Sequence, residues 1–370
     1  MYPFGTEQGY PRNRWYIAAF SDEISTKPIE RTLLGVPVAL YRTEEGRVVA
    51  MYGLCPHRYY PLARGVVEGD ALVCGYHGFT FASSGKCIRI PAQGAGAGFT
   101  QPTYPLVERG FLTWIWMGNA DLADESLIPP YVDYGLDQPG WATSGRDYFE
   151  LKARSQLLID NLMDLTHLPH VHHHIPGGDV FLKSRQTLQE RSEALRLRQE
   201  MKGPWTPFYS FLWGEDDRFK GEEDTYSVTD FYGPELIRTS GPLFSSLHGK
   251  PELPPTIGEV YFLHGVTPRT ATTTHYFCFQ TRNFRIDDTS FGEALGHVDK
   301  VIREQDVETI EAVEQWVECG AAAQRELLAR TDRAGMAVRE RIKAMILAEQ
   351  GSRSSAASPL PALADQEAIL

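Results

Sequence analysis

The 370-residue chain has no stretch approaching the ~20 consecutive apolar residues that a membrane helix needs, and residues 1–14 lack the apolar centre of a secretory signal. A cytoplasmic protein with no membrane partner is therefore expected. Positive charge is in short supply. The 36 Lys and Arg stand against 48 Asp and Glu, a formal charge of −12, which argues against binding nucleic acid by bulk attraction. Cysteine is sparse and odd in number: Cys55, Cys74, Cys87, Cys278 and Cys319 are unlike a disulfide framework and point instead to metal or redox chemistry. There is no internal repeat and no Gly-x-Gly-x-x-Gly loop for a dinucleotide. What remains is ordinary: 42% hydrophobic and 23% charged residues describe a globular protein, and at ~150 residues per domain the length allows two or three domains.

Residues 15–117 are short β-rich runs broken by Gly and Pro, such as Val38–Tyr41, Val48–Tyr52, Leu72–Cys74 and Leu112–Trp116. Turn signals sit at Glu44-Glu45-Gly46 and Ser83-Ser84-Gly85. An all-β domain over residues 1–125 follows. Asp121 to Gly140 is acidic and proline-bearing, so the boundary is placed there. A mixed domain is expected over residues 126–350, with a helix-like run at Leu157–His167, strands around Thr225–Tyr232, Val260–Leu263 and Thr272–Gln280, and helices from Phe291 to Gln350. The fold class is thus α+β, an antiparallel sheet flanked by helices following an all-β domain. Residues 351–370, rich in Ser, Ala and Pro, are expected to be a flexible tail.

Cys55-Pro56-His57-Arg58 and Cys74-Gly75-Tyr76-His77-Gly78 are two matching Cys/His loops. Thiolates are soft donors suited to iron-sulfur clusters, and two imidazoles on one iron lower the cluster's negative charge and raise its potential. This is the donor set of a Rieske [2Fe-2S] centre, with Cys55 and Cys74 on one iron and His57 and His77 on the other. A structural zinc site is the alternative, although its first ligand pair is usually spaced by two to four residues and Cys55 and His57 are separated by one. Cys87, Cys278 and Cys319 have no paired ligands and read as buried thiols.

Five histidines fall within the eight residues His167 to His174. Two imidazoles and one carboxylate bind Fe(II) and leave positions open for oxygen. Which two is not decided by the pattern alone. Pro169 biases Leu168 away from helix, so the later histidines come from another backbone direction. For the carboxylate, Ile302, Asp306, Ile310 and Val313 fall within ~80° of one helical face at ~100° per residue. Asp306 is then a lone acid in an apolar stripe, where burial demands a partner. Asp299 shares that face only if the helix starts early; Glu304, Glu308 and Glu311 face elsewhere.

The paired Cys/His motifs resemble those of Rieske-type non-haem iron oxygenases; respiratory Rieske proteins carry an extra cysteine in each loop, and this chain has none. It departs from many oxygenases in having Tyr59 where they have Gly. The run Asp160-Asn161-Leu162-Met163-Asp164-Leu165-Thr166-His167-x4-His172 is similar to the active-site segment of the family's vanillate, toluenesulfonate and dicamba oxygenases. The resemblance implies His167 and His172 as iron ligands, with His170, His173 and His174 as extras. It agrees with Asp306 as third ligand, on the segment Gln305 to Ala312. It implies catalytic roles for Asp164, bridging His167 to His77 of a neighbouring chain, and for Asn161, near the iron. It further implies a helix-grip catalytic domain, a head-to-tail homotrimer, and a separate flavin and iron-sulfur reductase delivering electrons from NADH, with O2 as cosubstrate. The reaction implied is monooxygenation of a substituted aromatic acid, O-demethylation foremost, with ring cis-dihydroxylation or simple Rieske electron carriage as alternatives. Phe208, Phe211, Trp213 and Phe244 are aromatic candidates for a cavity, though core packing explains each as well, and Arg238 could pair with a substrate carboxylate.

Overall fold

The structure, a computed structural model, describes residues 9–173, 177–214, 222–244, 257–320 and 326–353. His174 and the tail beyond residue 353 lie outside these. The chain divides into two compact units, one running Gly5–Leu127 and taking in the chain from Glu340 onwards, the other running Ile128–Arg339.

In the first unit, strands β1 (Trp15–Phe20), β2 (Ile29–Leu33), β3 (Val36–Arg42), β4 (Val48–Tyr52), β5 (Val66–Glu68), β6 (Ala71–Val73), β7 (Thr80–Phe81), β8 (Cys87–Arg89), β9 (Thr103–Tyr104), β10 (Leu106–Arg109) and β11 (Leu112–Trp116) form three antiparallel sheets. Their orders are β1-β11-β10, β2-β3-β4-β9 and β5-β6-β7-β8. Alternation along β3 explains why two cores form: Val38 and Leu40 enter one with Tyr16 and Ile115, while Ala39 and Tyr41 enter another with Met51, Leu72 and Phe81. Cys55 and Cys74 belong to the second core. Fully buried Leu72 and Phe81 each contribute about 2 kcal/mol and give both cysteines a fixed floor. The expected turns close through Gly46 N to Thr43 O and Gly85 N to Ala82 O. Late in the chain, Glu349 accepts from Arg12 N and Asn13 N.

The second unit holds β12 (Ala142–Leu151), β13 (Arg185–Glu190), β14 (Leu195–Pro204), β15 (Glu222–Gly233), β16 (Leu236–Ser240), β17 (Leu243–Phe244), β18 (Val260–Thr270) and β19 (Thr273–Arg282). They make one antiparallel sheet in the order β12-β19-β18-β16-β15-β14-β13, with β17 on β15. The unit's helices are α1 (Ser155–Met163), α2 (Leu168–Val171), α3 (Pro207–Trp213) and α4 (Thr289–Glu318), and a further helix, α5 (Arg333–Arg353), spans the division at Arg339. Asp288 caps α4, its carboxylate accepting from Phe291 N at 2.9 Å. Helix α4 packs closely on β12 at Gly296, opposite Gly145, where glycine is needed for the positive φ and to clear the Gln280 side chain. Gly145, at a bulge with φ +61°, lies so near that a Cβ on Gly296 would come within 3.0 Å of its Cα. This approach fixes the face α4 turns inward. No described helix is long and apolar enough to cross a membrane.

Three expectations need correction. Cys319 is exposed, because it lies past the end of α4 rather than on its packed face. Val313 is 44% exposed, and the buried face of α4 carries Asp299, Arg303, Asp306 and Glu314 beside Leu295 and Ile310, so the stripe is far from purely apolar. The change of chain direction falls at Asp164, not at Leu168. Leu168 is helical and Pro169 sits in the first turn of α2, where its missing N–H leaves no intrahelical bond unmade.

Candidate metal centres

The two Cys/His loops share one backbone design. Cys55 N donates to Tyr60 O and Cys55 O accepts from Tyr59 N; Cys74 N donates to Phe79 O and Cys74 O accepts from Gly78 N. The fourth residue after each cysteine takes a left-handed conformation, with φ 55° at Tyr59 and 70° at Gly78. Glycine adopts this freely; Tyr59 does so under strain. Both cysteines are buried and both imidazoles exposed, with the His57 and His77 ring centroids 4.6 Å apart and His57 stacked on Phe79. Burial pushes the Cys55 thiol up to about 12, with Cys74 raising it and a main-chain bond at His57 opposing. A thiol so reluctant to ionise becomes a thiolate readily only against a metal. Desolvation, then His77 and Arg58, hold His57 below the ordinary imidazole range, so its ring is neutral and able to ligate. Two inward thiols and two outward imidazoles fit a [2Fe-2S] cluster.

The second site begins where α1 stops. Asp164, at φ −134° and ψ 100°, leaves the helix, and its Oδ1 accepts from Thr166 N at 2.9 Å and Thr166 Oγ1 at 2.7 Å. This caps the turn Leu165–His167 and swings His167 inward. The contact between Asp164 and His167 runs through the main chain, His167 Nδ1 lying 2.7 Å from Asp164 O. His172 closes α2, is 1% exposed, and sets its Nδ1 2.9 Å from Gln305 Oε1. Asp306 Oδ1 lies 3.3 Å from His167 Nε2 and 3.2 Å from His172 Nε2.

With both rings neutral, these distances set up a conflict that a metal ion resolves, or a proton on one Nε2 in its absence. A carbonyl and an amide oxygen accept at the two Nδ1 atoms, so each Nδ1 carries the ring hydrogen and each Nε2 offers a lone pair. Three acceptors therefore face one another. His172 Nε2 and Asp306 Oδ1 are buried without a hydrogen-bond partner. Burial would raise the Asp306 carboxyl, but in the metal-free site protons on His167 and His172 outweigh it and hold the carboxyl far below the usual range, so the acid is anionic and a metal ion can take the place of those protons. Two imidazoles and a carboxylate with room beside them match the ligand preference of Fe(II). His170 and His173 are exposed and outside this group.

A cavity of about 170 Å³ adjoins the triad, its apolar wall including Leu162, Phe181, Phe208, Phe262 and Ile302. Asn161 lines it, its Nδ2 buried and unpaired, as does Ser227 Oγ. His264, also lining it, is kept neutral by burial and by Arg303. Its Nδ1 lies 3.0 Å from Arg303 Nη1, a donor, so Nε2 carries the hydrogen toward Thr239 Oγ1 at 3.1 Å. Arg303 is itself tied to Asp299 at 2.5 Å. Sequence reasoning missed His264, Gln305 and the Asp299–Arg303 pair; only the i,i+4 spacing of the last was a signal. Arg238 does not line the cavity and is committed to Asp230 and to Asp133 O. Of the four aromatic candidates, Phe208 reaches the cavity, while Phe211, Trp213 and Phe244 pack in cores.

Comparison with known proteins agrees with both centres. The Rieske [2Fe-2S] domain model matches residues 14–105, and the vanillate O-demethylase oxygenase C-terminal domain model matches residues 151–348. The iron-sulfur subunit of the toluene-4-sulfonate monooxygenase system of Comamonas testosteroni is 35% identical over 308 residues, 82% of this chain and 88% of that one. The oxygenase component of dicamba O-demethylase from Stenotrophomonas maltophilia is 34% identical over 326 residues, 84% of this chain and 90% of that one. Dicamba monooxygenase bound to 3,6-dichlorosalicylic acid superposes with a TM-score of 0.81 at 29% identity, covering 92% of this chain and 99% of that one. The chain belongs to the Rieske non-haem iron oxygenases, in the branch of the vanillate O-demethylase oxygenases. Its cofactors are a Rieske [2Fe-2S] cluster and a mononuclear non-haem iron, and its fold is the α+β arrangement expected. The zinc reading of the Cys/His loops is set aside by the Rieske match.

Proposed function

We propose that this chain is the terminal oxygenase of a multicomponent system and inserts one oxygen atom of O2 into a substituted aromatic acid, O-demethylation being the leading reaction. The observation that carries the reading is the convergence of three lone-pair donors beside an apolar cavity, on the same chain as the Rieske loops. Cys55, Cys74, His57 and His77 hold the cluster; His167, His172 and Asp306 hold the iron. When bound, the cluster supplies single electrons and the iron a place to reduce O2 beside the substrate. The chain's part is orientation and exclusion of water. Leu162, Phe208, Phe262 and Ile302 form a dry wall against an aromatic ring. Asn161 Nδ2 offers a donor on the wall beside the triad. Asp164 holds the His167 tautomer through its carbonyl, and we assign its carboxylate, steadied by Thr166, to the contact with His77 of a neighbouring subunit.

The chain carries no dinucleotide loop of its own, which supports a separate flavin and iron-sulfur reductase passing it electrons from NADH in the cytoplasm. In this reading subunits close head to tail as a C3 trimer, which brings the cluster of one chain to the iron of the next. The balance is Ar–OCH3 + O2 + NADH + H+ giving Ar–OH + HCHO + H2O + NAD+. Incubation with a reductase, NADH and a panel of methoxybenzoates should yield formaldehyde and phenol in equal amounts. Absence of formaldehyde and of any hydroxylated product sinks the reading, and a cis-diol would transfer it to ring dihydroxylation.

A further inference from the structure

We propose that Gln305 is a positioning residue for the iron site, acting through His172. This rests on the reading of His167, His172 and Asp306 as the iron ligands. The two histidines are oriented by unlike acceptors. His167 Nδ1 meets the main-chain carbonyl of Asp164 at 2.7 Å, which no substitution removes, whereas His172 Nδ1 meets the side-chain oxygen of Gln305 at 2.9 Å. Gln305 directly precedes Asp306 on α4, and its own carbonyl is held by Thr309 Oγ1 at 2.9 Å. One turn of a single helix therefore presents both the carboxylate ligand and the group that fixes which way the second imidazole turns. His172 is 1% exposed, so water cannot readily replace that acceptor. An unoriented ring would be free to protonate Nε2 instead of Nδ1, pointing hydrogen at Asp306 where a lone pair is required.

The test uses the full-length protein with its cluster assembled, in the variants Gln305→Leu, Gln305→Glu and His172→Ala. Mononuclear iron is counted against acid-labile sulfide, Fe(II) affinity is measured by chelator competition, and Co(II) is substituted for its visible ligand-field bands. Gln305→Leu should bind Fe(II) about 10–100-fold more weakly and shift the Co(II) bands, with the cluster absorption unchanged. Gln305→Glu, which keeps an acceptor in reach, should restore affinity to within a few-fold of wild type. Wild-type affinity and Co(II) bands in Gln305→Leu overturn the proposal, as does a Gln305→Glu variant as weak as Gln305→Leu. Should Gln305→Leu not fold, Gln305→Asn, whose amide falls short, takes its place under the same criteria. Retention of mononuclear iron by His172→Ala brings down the ligand assignment and this proposal together; wild-type behaviour of Gln305→Leu with iron lost from His172→Ala indicts only the role of Gln305.

Discussion

The proposed cluster site and the proposed iron site would solve one problem, holding iron, from opposite directions. Two loops with the same hydrogen bonds and the same left-handed fourth residue build the first, each loop complete within a few residues. Three unlike pieces build the second: a turn capped by Asp164, the end of a one-turn helix, and a side chain 134 positions beyond His172 on a long helix. A site made of local repeats can hold its shape while the rest of the fold breathes. A site made of distant pieces depends on the packing that brings them together, here the glycine contact of α4 on β12 and the buried Asp299–Arg303 pair.

The widest break between the two sites should come from Asp306→Ala, which leaves the three-acceptor cluster without its anion. Turnover should fall to background and iron from about three to about two per chain, with the Rieske absorption intact. The reciprocal Cys74→Ala should lose the cluster and keep about one iron. Either variant emptying both sites would show that the two sites do not form independently. Next in size is Arg303→Met, which strands the buried Asp299 carboxylate and should cost about 3–5 kcal/mol in urea unfolding. Burial already raises Asp299 above its ordinary value. A raised acid stabilises the fold only below its unfolded pKa and loses that contribution as pH rises, so the deficit of Arg303→Met should grow from pH 5 to pH 7.

The third test is pH alone. In the metal-free site His172 ends raised, Asp306 outweighing the desolvation that would lower it. Its proton therefore stabilises the metal-free fold below the ordinary histidine value and is lost as pH climbs through the raised one. Iron competes with that proton, so iron retention should rise over the same window, read by dialysis at stepped pH; retention independent of pH from 5 to 8 would contradict this. The smallest effect compares the two loops. Tyr59→Gly removes left-handed strain at some entropic cost and should stabilise by up to about 1 kcal/mol, while Gly78→Ala should destabilise by about 1–2 kcal/mol. The added Cβ at residue 78 would also stand 2.9 Å from Pro91 Cγ. Thermal unfolding of both variants reads the difference.

How much was legible beforehand follows from the same contrast. Strand runs such as Val48–Tyr52 and Leu112–Trp116 were readable because β-branched and aromatic residues with turn signals act locally. The break at Asp164 was misplaced because a proline is ambiguous on paper: it ends one helix or starts the next, and here it starts one. The polar character of the inward face of α4 was hidden because Arg303 and Asp299 look solvated until each is seen to neutralise the other. Gln305 and His264 carried no signal, since their work is done across the fold on side chains far away in sequence.

Spacing marked the Cys/His loops as a metal site with a mixed thiolate and imidazole donor set, because both cysteines and both histidines sit on short turns whose geometry the intervening residues dictate; the Rieske match then chose the cluster over zinc. Spacing also determined which helix face would carry an acid, because helical period is a local property. Only the tertiary structure decided that this acid meets two imidazoles, which way each ring is turned, and what wall they share. Those facts depend on how a strand and a helix approach each other, and close approach is a matter of atoms that never neighbour one another along the chain.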